Sequence, residues 1–175
     1  MFTNDDDLAE KMKMIANHGQ SKRYYHIVTG CNSRLDSIQA AILNVKLKYL
    51  DHYNSNRQKM AKTYDIGFGD VEHLSIPFRS PNSTHVFHQY TLKTSYEYRD
   101  KLIKYLTKKE IPAMIYYPVP LYKQEAFSSY VPENFSIENI EKLCNSVFSL
   151  PIHSEKENSQ QDKIIDSVKS FFNSI

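Results

Sequence analysis

Apolar side chains recur every three or four positions from Leu35 through Ile38, Ala41, Ile42, Val45, Tyr49 and Tyr53, and the repeat fades toward Tyr64. That period predicts one long helix with a continuous apolar stripe, which must lie against a neighbour to be stable. Ser33 followed by Asp36 reads as a capping box in its Asp variant, with Ser33 as the N-cap. Gly67 and Gly69 supply the stop signal behind it.

The remaining pattern is mixed. Asn4 and the three aspartates after it offer capping oxygens and negative charge to a first helix through Leu8, Met12 and Ile15, which Asn17-His18-Gly19 ends. Phe2-Thr3 reads as a strand remnant, and Ser21–Gly30 as a polar, aromatic loop. Beyond Gly69 the period changes. Leu74-Ser75-Ile76, Val86–Thr94, Ala113–Tyr117 and Phe148-Ser149-Leu150 read as strands. Helices are expected after Ser95, near Ser136, and after Ser154, where Ser154 and Glu157 form a second capping box. Helices and antiparallel-looking strands in mixed order indicate an α+β fold, with an antiparallel sheet and helices packed on one face.

Composition then narrows function. The 175 residues carry 22 Lys and Arg against 20 Asp and Glu, a net charge of +2, too small for a dedicated polyanion binder. Thirteen tyrosines at helical and strand spacing, without a nucleic-acid signature, read as core residues with polar tips. No nucleic acid is therefore expected as a partner. The apolar runs are short and proline-broken, well below the ~18 residues a membrane span needs. The acidic start, Met-Phe-Thr-Asn-Asp-Asp-Asp, lacks the basic character of a targeting peptide. Cys31 and Cys144 make no disulfide framework, so a reduced, cytoplasmic setting is the default expectation.

Several chemistries lack their residues. Four glycines build neither a phosphate loop nor a dinucleotide turn, and Gly67-Phe68-Gly69 lacks both the third glycine and the preceding strand. His85 and His88, three apart on an expected strand, would point to opposite faces, so no metal site is expected. Neither cysteine sits in a nucleophile motif.

The informative stretch is Cys31-Asn32-Ser33-Arg34-Leu35-Asp36. With Ser33 as the cap, Asn32 lies just outside the helix and Arg34 in its first turn. A cation there opposes the helix dipole at a cost of ~0.3–1 kcal/mol. The same arrangement offers an anion free backbone N–H groups, an amide and a guanidinium fork. Pairing of Arg34 with a neighbouring carboxylate such as Asp36 explains it equally well.

The ordered motifs carry a resemblance. Asn17-His18-Gly19-Gln20, Tyr24-Tyr25-His26, Gly30 and the run Asn32–Leu43 come first, followed by Lys46-Leu47, Leu50-Asp51 and Asn56-Arg57. His85–Thr91, Ile115–Leu121 with Gln124, and Ser149–Ile152 complete the series. In this order and spacing they resemble the DegT/DnrJ/EryC1/StrS family of sugar aminotransferases over about residues 2–155. That family is of fold type I and uses pyridoxal phosphate (PLP) to transfer an amino group, usually from glutamate, to a nucleotide-linked keto sugar.

The resemblance implies that the chain is the C-terminal half of such an enzyme. Residues 1–31 would be a remnant of the large PLP-binding domain, 32–66 a long connecting and dimer-contact helix, and 67–175 the small C-terminal α+β domain. The Ser-x-x-Lys whose lysine forms the Schiff base does not occur in the 175 residues. The isolated chain is therefore expected to be inactive. By the same resemblance, Asn32 matches the asparagine that reaches across a homodimer to the partner's cofactor phosphate. Arg34 would face substrate anions, and Tyr116 and Tyr117 would line the sugar pocket. Tyr122 is a further expected substrate-binding residue, at a position where relatives more often carry histidine. His18 and His26 lie in blocks near the site, with turn capping the plainer role for His18. The implied partners are a second copy or a missing N-terminal half, in amino-sugar or cell-surface polysaccharide biosynthesis. A non-catalytic relic of the same fold, or part of a PLP-dependent sugar dehydratase, are the alternative readings.

Overall fold

The computed structural model describes residues 2–132, 135–155 and 157–175. The chain divides into two compact units, residues 1–49 and 50–175. This boundary differs from the expected ones after residues 31 and 66 because the long helix is two helices. In the first unit α1 spans Asp6–Ala16 and α2 spans Ser37–Leu47; α3, Leu50–Phe68, opens the second. A turn at Lys48-Tyr49 separates α2 from α3. The repeat survived the break because both helices carry the same period.

In the first unit Asp5 caps α1 by accepting from Leu8 N at 2.9 Å. The helix ends where Asn17 N and Gly19 N both donate to Met14 O. Phe2-Thr3 is not a strand. The expected loop contains a small antiparallel hairpin, β1 (Gln20–Lys22) and β2 (Tyr25–His26), with Tyr24 at φ 70° in its turn. Neither α1 nor α2 buries a residue. Ile38 on α2 is 75% exposed.

The second unit holds the core. Strands β3 (Leu74–Ser75), β4 (Tyr90–Thr94) and β5 (Val147–Leu150) form an antiparallel sheet in that order. The cross-strand pairs Tyr90–Leu150 and Leu92–Phe148 put four large side chains on one face. Helices α3, α4 (Tyr96–Lys108) and α6 (Asn158–Phe172) close over them with Ala61, Tyr64, Phe68, Leu102, Leu106, Ile164 and Val168. A polar tie crosses this core, Gln161 Nε2 donating to Met60 O at 2.7 Å. The remaining helix, α5 (Glu138–Ser146), ends on Arg99, whose Nη1 donates to Cys144 O at 2.8 Å, a cation at a helix C-terminus.

Three strands are shorter than the sequence suggests. Residues 86–89 precede β4 as irregular chain, with Phe87 buried at φ 51°. The premise that placed His85 and His88 on opposite faces of one strand therefore fails. Ile76 falls outside β3, and only Met114 of the expected 113–117 strand pairs, as an isolated bridge to Ser149. At α6 the N-cap is Glu157, without a side-chain cap, so Ser154 and Glu157 form no capping box.

Candidate functional site

The Asn32–Arg34 segment is placed by the end of α1. Cys31 N donates to Ile15 O and Ser33 N to Ala16 O, both at 2.9 Å, while His18 N donates to Cys31 O. The carbonyls that a helix leaves unpaired at its C-terminus are thus satisfied by an extended strand-like segment. Gly30 permits this approach: a Cβ there would overlap the backbone of Gly19 and the Ile15 carbonyl. Gly19, at φ 72°, would meet the Val28 carbonyl if it bore a side chain.

The helix begins later than expected. Asp36, not Ser33, is the N-cap, accepting from Gln39 N at 2.8 Å while Gln39 Oε1 accepts from Asp36 N at 3.1 Å. The box motif had two phases in the sequence, and the one ending in glutamine won. Arg34 consequently lies two residues before the cap rather than in the first turn, and does not oppose the dipole. Nor does it pair with Asp36. Its Nε donates instead to Asn32 Oδ1 at 3.3 Å. Both side chains are exposed, and this bond leaves the Asn32 amide nitrogen and the terminal guanidinium nitrogens uncommitted to it. Asn32, Arg34, Ser37 and the capping residues line an open cavity of about 500 Å³.

His26 Nδ1 lies 2.7 Å from His18 O, so these two histidines join the turn that follows α1. His18 itself sits at φ 60°.

In the second unit a smaller cleft of about 220 Å³ lies beside the sheet, bordered by His88, Gln89, Met114, Tyr116 and Pro151. Tyr116 is 39% exposed, and Tyr117, joined to it by a cis peptide, is 72% exposed and does not border the cleft. Tyr122 stands apart in a short 3-10 helix, Leu121–Lys123. Its hydroxyl donates to Glu141 Oε1 at 2.7 Å and accepts from Ile137 N at 3.2 Å. Glu141 also receives Ser136 Oγ at 2.8 Å and pairs with Lys123 Nζ at 2.8 Å. The bonds from Lys123, Tyr122 and Ser136 hold its carboxyl down at about 2.

Sequence reasoning missed one further network. Asp65 accepts from Tyr90 Oη at 2.9 Å and from Arg79 Nε at 3.0 Å, and the Arg79 guanidinium lies 3.9 Å from the Phe87 ring centroid. Burial and the Asp65 carboxylate push the Tyr90 phenol up. Arg79 in an irregular segment carries no periodic signal. Arg57 Nε is buried with no hydrogen-bond partner among the described residues. No helix among those residues is long and apolar enough to cross a membrane, and no group of three metal-ligating side chains occurs there.

The profile of the DegT/DnrJ/EryC1/StrS aminotransferase family matches residues 1–169. The chain belongs to this family. A pleiotropic regulatory protein of Geobacillus stearothermophilus is 39% identical over 98% of the chain and 46% of its own length. The dTDP-3-amino-3,4,6-trideoxy-alpha-D-glucose transaminase of Streptomyces venezuelae is 34% identical over 98% of the chain and 45% of its own length. The crystal structure of DesV from S. venezuelae superposes with a TM-score of 0.88 at 34% identity, covering 99% of this chain and 46% of that one. A DegT/DnrJ/EryC1/StrS aminotransferase from Brucella abortus gives a TM-score of 0.85 at 33% identity, over 98% of this chain and 45% of that one. The chain thus spans about half the length of the relatives it matches, and its α+β fold is that of this part of a fold-type I aminotransferase.

Proposed function

We propose that this chain is the C-terminal portion of a PLP-dependent aminotransferase acting on a nucleotide-linked keto sugar, with glutamate the expected amino donor. The reading is carried by the family match over residues 1–169, in which Asn32 and Arg34 of the motif Asn32-Ser33-Arg34 are bonded to each other and line one cavity. The sugar-nucleotide substrates in the names of relatives such as the S. venezuelae transaminase support the substrate class.

The donor chemistry at Asn32 and Arg34 suits a phosphate. Both are hydrogen-bond donors, one is permanently charged, and Asp36, the carboxylate among the described residues that line this cavity, is occupied in capping α2. Asn32 and Arg34 would hold the cofactor phosphate or a substrate anion by charge-assisted bonds. When bound, PLP supplies the electron sink for amino transfer. Tyr116, and Tyr117 beyond it, would border the sugar. Tyr122 is assigned a different part: with its hydroxyl engaged by Glu141 and Ile137, it holds the 121–123 segment on α5.

The covalent step needs a lysine in a Ser-x-x-Lys setting, which these residues do not supply. The isolated chain is accordingly proposed to be inactive. The exposed apolar stripe of α2, with Ile38 and Val45 each at least 60% exposed, supports a partner surface, either a second copy or the other half of the enzyme. The test is cofactor retention. In a full-length enzyme reconstituted with the preceding half, Asn32→Ala should weaken PLP binding by ~1.5–3 kcal/mol, one charge-assisted hydrogen bond. Unchanged retention would remove Asn32 from the anion site.

A further inference from the structure

We draw no further inference here: the strongest candidate, the open cavity of about 760 Å³ between the β3–β4 end of the sheet and α5, rests on the N-terminus of α4 and on exposed side chains such as Lys93, and nothing among the described residues shows what occupies it.

Discussion

Ser33 N donates to Ala16 O at 2.9 Å, and this bond fixes where Asn32, the residue before it, stands. Asn32 is held by the end of α1, not by the start of α2. The distinction separates two kinds of substitution that the sequence would treat alike.

Asp36→Ala should cost about 1 kcal/mol of stability, because it removes the N-cap of α2 together with its reciprocal bond to Gln39. Asn32→Ala should leave stability within about 0.5 kcal/mol, since its one side-chain bond, to Arg34, is exposed. Thermal denaturation of the two variants checks the contrast. A large loss from Asn32→Ala would mean that the residue is structural.

Gly30→Ala tests the junction itself. With the added methyl overlapping Gly19 and the Ile15 carbonyl, the segment 31–33 must peel away from α1. The expected cost is about 3 kcal/mol, at the upper end for single substitutions. Amide exchange at Cys31 and Ser33 should accelerate while the amides of α3 and α6 keep their protection. Unchanged exchange at Ser33 would contradict the placement.

The long apolar repeat from Leu35 to Tyr64 announced helix correctly and length incorrectly. Periodicity reports the face a residue lies on, and α2 and α3 share a period across the turn at Lys48-Tyr49. The α+β class and the core strands were legible because Tyr90 and Leu92 alternate with less buried neighbours along β4 and pair with Leu150 and Phe148 on β5. The start of α2 was not: Ser33 and Asp36 are both good caps, and only the Gln39 side chain decides between them. Glu141 was invisible for another reason. Its partners Tyr122 and Ser136 come from a three-residue 3-10 helix and from irregular chain, where no period marks which side chains meet.

Glu141 predicts a pH dependence. Its folded-state carboxyl is held at about 2, below the ordinary carboxylate value of ~4.3, by Lys123, Tyr122 and Ser136. A lowered acid pKa stabilises the folded form fully above the unfolded value. That stabilisation is lost as pH falls through the interval from ~4.3 toward 2. The Tyr122 ring resonances should therefore shift in that interval, and Glu141→Gln should flatten the shift. A Tyr122 signal insensitive to pH down to 2 would show that the carboxylate does not hold the segment.

Asp65 predicts a loss of stability on substitution. Asp65→Ala strips the acceptor from Tyr90 Oη and from the Arg79 guanidinium, leaving a buried phenol and a half-buried cation unpaired. The expected loss is ~3 kcal/mol in chemical denaturation. Arg79→Met, which keeps the contact with Phe87 and removes the charge, should cost less. Equal losses would place the energy in packing and not in the carboxylate.

As proposed, this chain would contribute anion-holding residues to an aminotransferase whose covalent chemistry lies outside these residues. The most direct test is titration of the purified 175-residue chain with PLP, followed by borohydride reduction and peptide mapping. The expected result is no stoichiometric reducible adduct, no visible absorption band at one equivalent, and no amino transfer from glutamate to a keto-sugar nucleotide. One specific lysine labelled at one equivalent, with turnover, would contradict it.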